Sequence, residues 1–302
     1  MIPTDSPFHP DNAAGYQAWR AAKLAGYPTC GEDLIVKVRD PRELSDAEYR
    51  AIWQRIAKTN MAIYATDLGE AEDKEALGLL AAQFGLAHLD ANWLADEDGI
   101  SSLTPHEEDG QKRGEFIPYT HKPIRWHTDG YYNPPERRIW AMALHCVRAA
   151  DAGGINDLYD HELAYIALRD ANPAHIRALM ADDAMTIPAR IDEQGMARLD
   201  EPGPAFLVDS GPQHFPTLHL RYTARTISIA WKQDAATLAA VQALDALLHS
   251  NPRGVFSLGL APGMGVLCNN ILHTRSGFSD RPEHRRLLYR ARYHDHLRNL
   301  RG

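Results

Sequence analysis

The feature that most constrains the fold of this chain is a long succession of short β-type segments that does not alternate regularly with helices. Between residues 139 and 293, short apolar or alternating segments are separated by turn signals such as Asp151-Ala152-Gly153-Gly154. Helical periodicity interrupts them at residues 160–180 and again at 234–250. A parallel sheet made of strand–helix–strand units needs a regular alternation, which is absent. The pattern therefore predicts a mainly β protein, a sandwich or jelly roll, with flanking helices and a helical insertion between core strands.

The first 90 residues predict a mixed layer of helices and strands. Residues 13–25 and 46–58 have helical spacing of apolar side chains, and Ser45 is a typical N-cap for the second helix. We find no repeat, low-complexity tract or linker in the chain. We therefore expect a single domain of residues 1–302, in which an N-terminal layer (1–90) packs on a core formed by residues 115–295.

Composition argues against several classes of function. The chain carries 32 basic and 40 acidic residues, a net charge of −8, which does not suit a general binder of nucleic acid or anionic membranes. No uncharged apolar run approaches the ~18 residues of a membrane span, and the N-terminus does not read as a signal peptide. The 3 cysteines are far apart, which predicts free thiols in a reducing cytoplasm.

The segment Trp126-His127-Thr128-Asp129-Gly130 places an imidazole and a carboxylate two residues apart. In an extended chain, His127 and Asp129 point to the same face, ~7 Å apart along the strand, and such a pair can bind one metal ion. An isolated His-x-Asp sequence is also common in surface turns, and Gly130 favours a turn here. The pair alone leaves both interpretations open.

A second histidine would turn this pair into a two-histidine, one-carboxylate site. His273 ends the apolar segment 265–272, and Arg275 follows two residues later on the same face. A triad of this composition leaves three adjacent positions of an octahedral iron open. Other histidines compete for the role, and we interpret the last two as a surface strand end: His214, His219, His284, His294 and His296.

A row of arginines follows near the C-terminus. On a strand, Arg286, Arg290 and Arg292 share one face. The row is either the solvated side of an edge strand or the wall of a cavity. Buried guanidinium groups need an anion opposite them, and their planar fork fits a carboxylate. A cavity would therefore imply an anionic ligand beside the metal.

These segments, in this order, resemble the iron(II)/2-oxoglutarate-dependent oxygenases of the taurine dioxygenase and clavaminate synthase-like group. The resemblance rests on WHTDG at 126–130, GGIN at 153–156, NNILHTR at 269–275 and RLLYR at 286–290, and it runs from about residue 115 to 295. It implies a double-stranded β-helix (jelly roll) core. It also implies an enzyme that uses Fe(2+), 2-oxoglutarate and O₂ to oxidise a small molecule, most often by hydroxylation.

The resemblance also assigns residues. His127, Asp129 and His273 match the iron ligands, and with them the catalytic centre. Arg286 matches the partner of the distal carboxylate of 2-oxoglutarate. Asn156 stands where the family often has Thr, and its amide can donate to the same carboxylate.

The substrate side is less defined by sequence. Arg290 matches the arginine that meets the sulfonate in the taurine enzyme, so an anionic substrate is an expectation. Tyr131 and Tyr119 are candidate substrate contacts, although packing is the usual role of such aromatics. The polar segment 93–125 could form a lid or a plain surface loop. The sequence leaves homo-oligomerisation and the identity of the substrate open.

Two other functions are compatible with the residues. A cupin-like metal-dependent oxygenase or isomerase would keep His127, Asp129 and His273 and have no use for Arg286. A non-catalytic binding protein would retain the same site without turnover. Binding of 2-oxoglutarate separates the first alternative from the main hypothesis, and turnover separates the second.

Overall fold

The structure, a computed structural model, describes residues 2–91, 95–106, 112–191, 197–209 and 216–302. The chain divides into two compact units. The first unit consists of Met1–Tyr27, Trp126–Pro134 and Tyr159–Val255, and the second of Pro28–Arg125, Pro135–Leu158 and Phe256–Gly302. The expected single domain, with its N-terminal layer and its core, stays a prediction.

Helices occur in both units. The α-helices of the described residues are α1 (Ala13–Leu24), α2 (Asp46–Thr59), α3 (Lys74–Ala82), α4 (His161–Ala171), α5 (Pro173–Leu179) and α6 (Ala235–His249). Ser45 caps α2 as expected, since its hydroxyl accepts from the Glu48 amide while the Glu48 carboxylate accepts from the Ser45 amide. Within the described part of the chain, no helix is both long and apolar enough to cross a lipid bilayer.

Strands are short, as the sequence predicts. They are β1 (Ile35–Val38), β2 (Met61–Thr66), β3 (Ser101–Leu103), β4 (Ile124–His127), β5 (Ala141–Arg148), β6 (Ala152–Gly153), β7 (Asn156–Tyr159), β8 (Met185–Ile187), β9 (Arg190–Ile191), β10 (Ala197–Arg198), β11 (Glu201–Gly203), β12 (Phe206–Asp209), β13 (Thr217–Leu220), β14 (Ala230–Trp231), β15 (Val255–Leu258), β16 (Met264–Cys268), β17 (Leu272–Arg275), β18 (Phe278–Ser279) and β19 (Leu287–Tyr293).

The second unit is built around the larger of two main sheets. Its six strands run in the order β1-β2-β16-β5-β19-β3, and the other main sheet has the order β15-β7-β17-β4. One face of the six-stranded sheet is covered by α2 and α3, where Tyr289, Ala291 and Tyr293 of β19 are buried with Tyr49 and Phe84. Because side chains alternate along β19, its remaining residues, including Arg290 and Arg292, lie on the opposite face. Of the three arginines predicted to share a face, Arg290 and Arg292 lie on β19, whereas Arg286 precedes the strand.

The first unit combines the N-terminal helix with the helical insertion. Lys23 on α1 is buried, and its Nζ lies 2.7 Å from Asp160 and 2.5 Å from Glu162 at the start of α4. The Tyr27 hydroxyl donates to the same Asp160 carboxylate at 3.1 Å. A buried charge of this kind is tolerated because it is paired, so the cluster fixes α1 on α4.

Two sequence-predicted strands differ from the structure. The strand predicted over 265–272 is two strands, β16 and β17, which belong to different sheets and are separated at Asn269-Asn270. Asn270 has a left-handed backbone (φ 45°), which turns the chain out of the first sheet. Within residues 226–231, whose sequence also favours a strand, only Ala230–Trp231 forms one. Apolar alternation does not reveal the break at Asn270, because that break depends on a backbone angle.

Candidate active site

The HxD segment is held in place by hydrogen bonds on both sides of His127. The Ala224 amide donates to the Trp126 carbonyl at 2.8 Å, and the Thr128 amide donates to the Tyr222 carbonyl at 3.0 Å. The Thr128 hydroxyl in turn accepts from the Tyr222 amide at 3.2 Å. Thr128 is fully buried. The segment is therefore fixed in an extended form, in which the side chains on either side of Thr128, those of His127 and Asp129, point to the same side of the chain.

His127 and Asp129 lie close enough to share one ion. Nε2 of His127 is 3.7 Å from Oδ1 of Asp129, and both side chains are largely buried. The chain then turns sharply at Gly130 (φ 61°), where the Asn133 amide donates to the Gly130 carbonyl at 2.8 Å. Sequence reasoning predicted both the shared face and the turn.

His273 owes its position to the break between β16 and β17. The buried Asn270 donates through Nδ2 to the Ile139 carbonyl at 2.8 Å, which stabilises the turn that begins β17. Nδ1 of His273 lies 2.9 Å from the Ile271 carbonyl oxygen. A carbonyl can only accept, so Nδ1 carries the proton and Nε2 presents a lone pair. This arrangement is typical of histidines that bind metals.

Ligand atoms of His127, Asp129 and His273 all lie within 4.8 Å of one another. Two neutral imidazoles and one carboxylate are the donor set that non-haem iron(II) oxygenases use. The donor chemistry therefore fits an iron(II) ion. In the described ranges, no other group of three His, Cys, Asp or Glu side chains meets the same geometric condition.

The competing histidines have other contacts. Nε2 of His284 is 3.1 Å from a Glu70 oxygen, and Nδ1 of His294 is 3.0 Å from the Arg138 carbonyl. The His296 ring lies 4.2 Å from the Trp140 ring. His219 is buried on β13, and His214 lies outside the described residues.

Arg286 and Asn156 line one cavity in the second unit. Its volume is about 240 Å³, and Gly153, Gly154 and Leu260 contribute further walls. Arg286 is 4% exposed and Asn156 6%. Burial lowers the pKa of Arg286 to about 10, so the guanidinium is still charged near neutral pH. Among the described residues, no carboxylate hydrogen-bonds to this guanidinium, so the cavity suits an anionic group of a ligand.

Gly153 allows the close approach that shapes this cavity. Its backbone is left-handed (φ 78°), and a Cβ there would lie 2.2 Å from the Gly277 carbonyl oxygen. We expect Gly153→Ala to lower the free energy of unfolding by about 2–4 kcal/mol, through strain and overpacking. Gly26→Ala is the matched control, since Gly26 has φ 62° with nothing within 4 Å, and it should cost only ~1 kcal/mol. If urea unfolding showed that Gly153→Ala and Gly26→Ala lose equal free energy of unfolding, the clash at Gly153 would be contradicted.

The expected substrate contacts have different surroundings. Arg290 is 9% exposed on β19, opposite Ser101 of β3. Tyr131 is half-buried with its ring 5.1 Å from that of Tyr132. Tyr119 is fully buried, and its ring lies 5.7 Å from the Arg113 guanidinium. Their substrate roles stay predictions.

Salt bridges hold part of the segment 93–125 in place. The Asp96 carboxylate pairs with Nζ of Lys74 at 2.6 Å and with Nη1 of Arg113 at 2.7 Å. Burial raises the pKa of Asp96, but its hydrogen bonds, these two included, outweigh that effect and lower the pKa to about 2. Residues 93–94 and 107–111 lie outside the described residues. The lid interpretation of this segment stays a prediction.

Sequence reasoning noted Arg275 only as part of the histidine motif. In the structure its guanidinium donates to four backbone carbonyls of the segment that leads into β4: Pro118 at 3.1 Å, Ile117 at 3.3 Å, Thr120 at 2.8 Å and Lys122 at 2.5 Å. The signal available in the sequence was its spacing of two from His273, which places both on one face.

Comparison with known proteins identifies the family. The family model of "Taurine catabolism dioxygenase TauD, TfdA family" matches residues 21–292. The chain belongs to this family. It is 32% identical over 177 residues to a uridine-5'-phosphate dioxygenase from an Amycolatopsis species, a match that covers 56% of this chain and 60% of that protein.

Solved structures share the fold. An asparagine oxygenase in complex with Fe(II), 2S,3S-3-hydroxyasparagine and succinate matches with a TM-score of 0.57 and 15% identity, over 94% of this chain and 85% of that one. A putative α-ketoglutarate-dependent taurine dioxygenase from Burkholderia xenovorans matches with a TM-score of 0.55 and 16% identity, over 86% and 89%. The jelly-roll prediction is confirmed.

The resemblance to the taurine dioxygenase group that the sequence motifs indicate is therefore confirmed. The cupin-like alternative without 2-oxoglutarate is not favoured. The cavity beside Arg286 agrees with the family, since it offers a buried cation to an oxo acid.

Proposed function

We propose that His127, Asp129 and His273 hold the iron of a dioxygenase that hydroxylates an unactivated C–H bond of a small molecule. The observation that carries this proposal is the grouping of their ligand atoms within 4.8 Å. When bound, iron(II) supplies the oxygen chemistry, in which one O atom enters succinate, the other enters the product, and CO₂ leaves. The three side chains fix the metal and leave adjacent positions open for ligands.

Arg286 and Asn156 hold the distal carboxylate of 2-oxoglutarate in this proposal. The guanidinium is buried and charged, and the cavity beside it measures about 240 Å³. The Asn156 amide lies in the same wall and donates to the Gly154 carbonyl at 3.3 Å, so it has a second hydrogen left for the ligand. The walls shield this contact from water, which strengthens it.

The substrate is proposed to be a small anionic molecule that meets Arg290. Support comes from the burial of this arginine on the same face of β19 as Arg292, whose charge is balanced by Asp90 at 2.6 Å. The relative named for uridine 5'-phosphate also acts on an anion. A reducing, cytoplasmic location belongs to the proposal, because the three cysteines lie far apart in the sequence and form no disulfide.

Replacing Arg290 tests this substrate class. We expect Arg290→Gln to raise the KM for an anionic substrate by about 30-fold, because a buried charge-assisted contact is lost. The KM for 2-oxoglutarate should stay within about twofold of the wild type. A rise in both constants, or in neither, would contradict the separate role of Arg290.

The overall proposal is tested by succinate release with iron(II), ascorbate and 2-oxoglutarate across a panel of metabolites. The panel pairs nucleotides, sulfonates and amino acids with uncharged analogues of the same size. The proposal predicts succinate formed in equal amount to a hydroxylated product, for an anionic compound. Turnover confined to uncharged compounds would overturn the anionic class, and turnover without 2-oxoglutarate would overturn the reaction.

A further inference from the structure

Phe278 lies beside two buried arginines of the second unit. Its ring centroid is 4.9 Å from the guanidinium carbon of Arg286 and 4.8 Å from that of Arg275. Both distances are within the range of cation–π contacts. Phe278 itself is fixed by β18, which pairs with Gly153 of β6, and by its amide, which donates to the His121 carbonyl at 3.2 Å. One aromatic ring thus contacts the cavity arginine and a second guanidinium.

Arg286 needs support of this kind. An arginine side chain has several freely rotating bonds, and among the described residues no carboxylate hydrogen-bonds to its guanidinium. The backbone also comes close to this side chain, since a Cβ on Gly154 would lie 3.4 Å from Nε of Arg286. The ring of Phe278 supplies an electron-rich face without competing for the N–H groups that a ligand carboxylate would accept from.

The second guanidinium in contact with the Phe278 ring, that of Arg275, is held in place by hydrogen bonds. Its guanidinium is 4% exposed and donates to carbonyls of Ile117, Pro118, Thr120 and Lys122. Because these bonds fix the guanidinium from several directions, the ring that lies against it has little freedom to move. Phe278 therefore packs against the fixed guanidinium of Arg275. The same ring contacts the Arg286 guanidinium, which is the group that the ligand carboxylate would bind.

We propose that Phe278 is a positioning residue for the oxo acid: its ring holds the Arg286 guanidinium in the orientation that receives the distal carboxylate. This inference rests on the proposed function, in which Arg286 binds 2-oxoglutarate. It assigns to Phe278 a contribution to affinity that acts through Arg286 and leaves the metal ligands unaffected.

The test uses the full chain loaded with Mn(II) and titrated by calorimetry with N-oxalylglycine, an unreactive analogue of 2-oxoglutarate. Phe278→Leu keeps an apolar side chain and removes the ring. We expect its Kd for N-oxalylglycine to rise about tenfold, the size of a partly buried cation–π contact. Phe278→Tyr, which keeps the ring, should restore the affinity to within about twofold.

Oxalate is the control ligand that distinguishes a positioning role of Phe278 from a general structural role. It chelates the metal but has no distal carboxylate, so its Kd should be unchanged in Phe278→Leu. If N-oxalylglycine binds Phe278→Leu as tightly as wild type, or if both ligands weaken equally, the inference is overturned. If wild type itself does not bind N-oxalylglycine, the proposed function fails first. Should Phe278→Leu not fold, Phe278→Met gives the same comparison.

Discussion

Replacing His273 with alanine is expected to lower the rate of succinate formation by at least about 1000-fold. The variant removes one of three protein ligands, and a remaining His127/Asp129 pair binds iron(II) weakly and without the facial geometry. The oxygen chemistry that iron(II) would supply depends on an ion that stays bound to the protein, which the two remaining side chains would not secure. The measurement is succinate release together with iron content after desalting.

His249→Ala is the matched control for this prediction. His249 is the last residue of α6, its side chain is 71% exposed, and its ring pairs with Asp245 of the same helix. Its replacement should leave both activity and iron content unchanged. A His273→Ala variant that retains stoichiometric iron and wild-type turnover would show that the third ligand is a different residue.

The second large effect is expected at the oxo-acid cavity. Arg286→Ala should raise the Kd for 2-oxoglutarate by about 100-fold, because loss of a buried charge-assisted pair costs a few kcal/mol. Binding is measured by calorimetry on the Mn(II)-loaded protein, with oxalate as the ligand that should be unaffected.

Arg281→Ala is the control for Arg286→Ala. It also removes an arginine of the 275–292 region, but one whose side chain is 63% exposed and paired with Asp151 at the surface. Its affinity for 2-oxoglutarate should match the wild type. Unchanged affinity in Arg286→Ala would place the distal carboxylate elsewhere and would revive an enzyme that does not use the oxo acid.

Local chemistry made much of the fold predictable from sequence. The Ser45 cap and the alternation along β19 each depend on neighbours within a few residues. Such signals survive in a single sequence because caps and strand faces are set by adjacent side chains. The number and shortness of the strands predicted a sandwich or a jelly roll, and the family resemblance implied the jelly roll.

The remaining features depend on contacts that spacing does not encode. The break at Asn270 needs a positive φ and a hydrogen bond to Ile139, a residue far away in the chain. The four carbonyl contacts of Arg275 and the position of Phe278 likewise exist only once distant segments meet. Choosing His273 over the other histidines was possible only through the family motif, since alternation alone treats them alike.

The central claim is that one iron ion and one oxo acid meet at His127, Asp129, His273 and Arg286. Its most direct test is an anaerobic titration of the full chain with iron(II) in the presence of 2-oxoglutarate, followed by visible absorption. We expect a weak charge-transfer band that saturates at one iron per chain and is lost in His273→Ala. Absence of the band in wild type, or an equal band in His273→Ala, would contradict it.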